Sequence, residues 1–109
     1  MALALNIFQT VTAVVPTSPT VVYTAPVGYT GVVLLAQVAN IGATSQDITF
    51  VHRRSSTDTE LLKQYPISAN DTSSLLTGKL VLESGDRLVL SGSNASNLKF
   101  VASLLETLN

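Results

Sequence analysis

A chain of 109 residues has room for one domain around one core. Hydrophobic side chains fill 46% of it, an ordinary share, but charged ones fill only 12%, about half the usual quarter, and Ser and Thr at 25 positions take their place. The lack of cysteine excludes a disulfide scaffold and thiolate-bound zinc, a single histidine excludes multi-histidine metal chemistry, and a net charge of −1 is too near zero for electrostatic capture of nucleic acid.

The opening Met-Ala-Leu-Ala-Leu-Asn is apolar but has no basic residue near it, since the first Lys or Arg is Arg53. It does not read as a secretory signal, and no window approaches the roughly 18 apolar residues that span a bilayer. The expectation is a soluble protein, made in the cytosol and left unprocessed. Residues 8–15 are rich in Thr and Val and end at Pro16-Thr-Ser-Pro19. Residues 20–23 form a second short run, closed by the turn residues Pro26-Val-Gly28. Residues 30–38 are β-branched and aliphatic, stopping at Asn40-Ile-Gly42. Residues 47–52 alternate, with Ile48, Phe50 and His52 on one face and Thr49 and Val51 on the other. Residues 60–65 precede Pro66; 75–83 and 87–90 flank the turn Ser84-Gly85-Asp86; residues 97–105 close the chain. The sequons at Asn70 and Asn94 are read as turn residues.

Short segments separated by turn signals about every ten residues predict an all-β fold: a single small antiparallel sandwich or jelly-roll-like barrel of about eight strands. The last segment also fits a helix through Leu98, Val101, Ala102 and Leu105. A strand through Leu98, Phe100, Ala102 and Leu104 is preferred because all its neighbours are β. Residues 1–19 are read as an N-terminal strand or arm, with the two prolines fixing an extended exit, and 20–109 as the sandwich domain. On this reading residues 1–15 add a strand to a partner or sister subunit. Residues 32–36, 80–82 and 88–90 are apolar on both faces. Either the ends of a small barrel are simply greasy, or a second face is covered by another chain; the low charge favours the second.

Catalytic chemistry finds little to work with. His52 is the sole candidate base, no G-x-S-x-G elbow presents a nucleophile, and Arg53 and Arg54 beside it oppose an imidazolium. The acids fall mostly at turns. Glu83 and Asp86 flank Ser84-Gly85 without the spacing of a calcium loop, and no glycine-rich loop cradles a phosphate. The expectation is no enzyme, no cofactor and no metal. His52 reads as a strand-end histidine at a surface or interface. Arg53-Arg54 is either a solvated pair or a contact to a neighbouring subunit, so His52, Arg53 and Arg54 are the candidate subunit or partner contacts. A carbohydrate-binding sandwich is the weaker alternative, since the chain has no Trp platform and only three scattered Tyr.

Tyr23-Thr-Ala-Pro-Val-Gly-Tyr-Thr30, followed by the aliphatic Gly31-Val-Val-Leu-Leu-Ala-Gln-Val-Ala-Asn40, resembles the small β-sandwich virion proteins of tailed bacteriophages, including those of cyanophage-like particles. Thr49-Phe-Val51, Pro66-Ile-Ser-Ala-Asn70, Gly78-Lys-Leu-Val-Leu-Glu-Ser-Gly-Asp86 and Val101-Ala-Ser-Leu-Leu-Glu106 continue the likeness in order over residues 20–106. The resemblance implies a non-enzymatic structural protein, jelly-roll-like and often trimeric. Such a protein is made in the host cytoplasm and built into the virion as a cement or decoration protein clamping neighbouring capsomers, or as a neck, tail or fibre component. It further implies a major capsid or other virion protein as partner, with neither nucleic acid nor membrane, and no residue-level site transfers.

Overall fold

Proline, glycine and asparagine cut the chain into nine strands with no helix among the described residues, 5–109, of a computed structural model. They are β1 (Asn6–Val14), β2 (Thr20–Thr24), β3 (Tyr29–Asn40), β4 (Gln46–Arg54), β5 (Thr57–Ile67), β6 (Asp71–Ser74), β7 (Leu80–Leu82), β8 (Arg87–Gly92) and β9 (Leu98–Leu108). One antiparallel sheet runs β1-β9-β3-β6, with β7 also on β3; the other runs β2-β8-β4-β5. The chain changes sheet at every connection except β4–β5 and β6–β7, which is the winding of a jelly roll. The all-β sandwich expected from turn spacing is therefore the fold.

The turns work by local chemistry. Gly28 and Gly85, both at φ 87°, hold the third positions of the turns 26–29 and 83–86, where the Tyr29 amide donates to Pro26 O and the Asp86 amide to Glu83 O. Asn70, at φ 58°, does the same in the 68–71 turn. Buried Asn40 braces the β3–β4 loop: its Nδ2 donates to Thr44 O and Ile67 O, and its Oδ1 accepts from the Gly42 amide.

Alternation decides which side chains enter the core. Along β9, Leu98, Phe100, Ala102 and Leu104 are buried while the residues between them are not, so the strand reading of this segment holds over the helical one. Ile48, Phe50, Leu88 and Leu90 supply the facing layer, and the rings of Phe50 and Phe100 meet with centroids 6.2 Å apart. Fully burying each such side chain contributes about 1.5–3 kcal/mol.

Two expectations change. The segment 75–83 is not one strand: only Leu80–Leu82 pairs, against Val33 to Gly31, while the strand before it is Asp71–Ser74, against Asn40 to Gln37. The gap falls where β3 bulges between Val33 and Leu35, which leaves Leu34 and Leu35 both exposed and breaks the straight edge a continuous partner needs. The 1–19 segment is not set apart from the sandwich within the described residues. Asn6–Val14 pairs along its nine residues with β9 of the same chain, while residues 1–4 of the expected arm lie outside the described residues.

Candidate functional site

The residues singled out on β4 are separated by strand alternation. His52 and Arg54 turn toward Asp86, which sits at the end of the β7–β8 turn and is almost wholly buried. His52 Nε2 lies 3.0 Å from Asp86 Oδ2. Arg54 grips the same carboxylate with both arms of its guanidinium, Nε to Oδ1 at 2.9 Å and Nη2 to Oδ2 at 2.7 Å. The Glu83 amide donates to Oδ2 as well, and the Glu83 carboxylate stands 3.3 Å from Arg54 Nη2. Arg54 holds the Asp86 carboxyl far below the usual carboxylate range against the opposing effect of burial, with His52 and the Glu83 amide helping.

Arg53 points to the opposite face and makes a bidentate pair with Asp58 across the β4–β5 hairpin, at 2.6 and 3.0 Å. This pair lowers the Asp58 carboxyl and raises the guanidinium. Arg87 donates to Ser55 O at the tip of that hairpin. All three candidate contact residues are thus engaged within their own chain. His52 and Arg54 tie the end of β4 to the β7–β8 turn, and Arg53 ties the hairpin to itself.

A second polar cluster had no sequence signal beyond its place in an alternating strand. Glu106 continues the inward series of β9, is buried, and accepts hydrogen bonds from Tyr23 Oη and Gln9 Nε2. Burial pushes the Tyr23 hydroxyl well above its ordinary range, and its bond to Glu106 pushes it further. Gly31, paired opposite Glu106, leaves the space that Tyr23 occupies: a Cβ there would stand 3.3 Å from the Tyr23 oxygen.

The two outer faces differ in chemistry. Paired residues point to the same side of a sheet, so the registers of the β1-β9-β3 sheet assign its outer face directly. Phe8, Leu105, Val32 and Val81 lie in one row across four strands, with Phe8 74% and Val81 57% exposed. Leu35 lies one row on, and Lys99 is the only charged residue at the paired positions of this face. Beside the row, Thr12, Val14, Gln37, Ala39, Lys99 and Val101 line a shallow groove. The outer face of the β8-β4-β5 sheet carries Asp47, Arg53, Arg87, Asp58 and Glu60. There Val51 and Val89 are buried even though they point away from the main core.

Among the described residues no group of three or more His, Cys, Asp or Glu side chains is placed to hold a metal ion. The candidate site is a surface, the nearly uncharged outer face of the β1-β9-β3 sheet with its exposed apolar row. No family model and no curated protein matches this chain.

Proposed function

We propose that this chain is a non-enzymatic structural subunit of a virion, of the capsid cement or decoration kind, working as a homo-oligomer and seated on capsomers through the outer face of its β1-β9-β3 sheet. The observation that carries the reading is the row Phe8–Leu105–Val32–Val81, an apolar stripe left in water on a face with one charge. A cement subunit has to hold neighbours by area and shape, and a sheet face with an apolar row and a single lysine offers both with little like-charge repulsion. The jelly-roll winding and the likeness of residues 20–106 to small virion proteins of tailed phages support the same reading.

The test is co-sedimentation of the purified protein with expanded capsids and, separately, with tails of a tailed phage. Saturable binding to capsids is the expected result. Binding to tails alone would move the subunit to the neck or tail, and binding to neither would overturn the reading.

A further inference from the structure

We propose that the free edge of β1 pairs with the same edge of a second copy, joining two sandwiches through one continuous antiparallel sheet about a twofold axis. The inference stands on the edges of the sandwich and does not require a virion role.

A sandwich has four edge strands, and an exposed edge with unpaired N–H and C=O groups invites another strand unless something blocks it. Three of the edges here are blocked. β5 carries Lys63 and Pro66, breaks register with β4 at two places, and bends through Gln64 at φ 51°. β2 is five residues long, lies between Pro19 and Pro26, and breaks register between Val21 and Tyr23. The edge beside β3 is divided into β6 and β7, four and three residues long. β1 has none of these devices: nine residues, Asn-Ile-Phe-Gln-Thr-Val-Thr-Ala-Val, without charge, proline, glycine or register break. Among the described residues its ladder is with β9 alone.

The direction of its backbone groups follows from its two ends. Leu5 O accepts from the Leu108 amide and the Val15 amide donates to Leu98 O, so the odd-numbered residues face β9. By alternation Asn6, Phe8, Thr10, Thr12 and Val14 turn their N–H and C=O groups outward, as one partner strand requires. A second β1 fits this edge with the axis at Thr10: Thr10 opposite Thr10, Phe8 opposite Thr12, Asn6 opposite Val14. No like charges meet, and the Thr–Thr and aromatic–Thr pairs are of the kind that stabilises cross-strand contacts. The same five side chains lie on the outer face, so the pairing puts the Phe8–Leu105–Val32–Val81 rows of two copies on one continuous face, staggered by about four residues along the strands. A self-complementary edge closes as a C2 dimer, the commonest form of homo-oligomer.

The test is the native mass of the full chain by size-exclusion chromatography with light scattering, at several concentrations. The expected result is a dimer of twice 11.5 kDa. Thr10→Pro removes one outward N–H while leaving the ladder to β9, a position where edge strands tolerate proline. Thr10→Lys sets two ammonium groups against each other at the axis and leaves the monomer unburdened. Each variant should weaken dimerisation at least tenfold with an unchanged circular dichroism spectrum, and the lysine variant decides the matter if the proline variant unfolds. A monomeric or trimeric wild type, or a dimer that resists the folded variants, would overturn the proposal. A monomeric wild type that still sediments with capsids removes the edge pairing alone, while a dimer that binds no capsid removes the cement role alone.

Discussion

Asp86 is nearly buried, yet every group that hydrogen-bonds its carboxylate favours its charged form: two arms of Arg54, the ring of His52 and the Glu83 amide. Its folded pKa lies below the unfolded value of about 3.9, so the stabilisation is complete above that value and is lost progressively as pH falls from there toward the lower folded pKa. Asp86→Asn should cost about 1–3 kcal/mol at pH 7, the range for removing a charged partner from a partly buried hydrogen-bond set. Melting curves from pH 7 to pH 2 check both statements. The gap between wild type and variant should begin to narrow below about pH 4 and go on narrowing to pH 2, with a residual acid slope from Asp58, whose carboxyl is also lowered. A gap constant with pH would mean that the cluster's charge plays no part in stability. At this scale the sequence was half readable. His52, Arg53 and Arg54 stand out as the only basic concentration. Their partners Asp86 and Asp58 do not, because the match depends on the register of β4 against β8 and β5, which no periodicity encodes. Glu106 was hidden more thoroughly, since a carboxylate in an alternating strand looks like a solvent-facing residue until Tyr23 and Gln9 are seen to cover it.

Strands announce themselves in sequence to the extent that they have an apolar face. β9, β4 and β8 were legible for that reason. β6, Asp-Thr-Ser-Ser, has no apolar residue and falls between the expected segments 60–65 and 75–83. The bulge in β3 gave no warning either, since Val32-Val-Leu-Leu-Ala36 reads as uninterrupted apolar sequence whether it runs straight or shifts one step at Leu34. β1 was legible as a strand, but its cis pairing with β9 was not, because an edge strand and an arm share the same composition. Turn chemistry was the most reliable signal, and the 83–86 turn shows how a turn serves the cluster beside it. Gly85 at φ 87° lets the Asp86 amide reach Glu83 O and directs the Asp86 side chain inward. Gly85→Ala has open space for its Cβ but must hold a left-handed φ, at a cost of about 1–2 kcal/mol. Chemical denaturation should show the midpoint lowered with the slope m unchanged; a variant as stable as wild type would mean that the turn relaxes to another type without disturbing Asp86.

Across the whole molecule the charge distribution, more than the total charge, distinguishes the two sheets. The outer face of β2-β8-β4-β5 carries the Arg53–Asp58 ion pair, Arg87 and further acids, and these polar side chains share the surface with buried Val51 and Val89, so it behaves as an ordinary solvent face. The outer face of β1-β9-β3 has one lysine and an exposed apolar row. If the subunit docks on a particle, this asymmetry fixes its orientation: the nearly uncharged sheet inward, the ion-paired sheet outward. Val81→Asp, on the apolar row but off the β1 edge, sets a carboxylate where docking would strip its water, a cost of several kcal/mol that should weaken capsid binding by at least a hundredfold. Exchanging the exposed pair as Arg53→Asp with Asp58→Arg keeps the net charge and should leave capsid binding within a factor of about three, since rim and solvent-facing ion pairs contribute little. Co-sedimentation isotherms of the two variants beside wild type measure both. Equal losses would mean that the protein is held by both faces, and a loss confined to the exchanged pair would reverse the orientation.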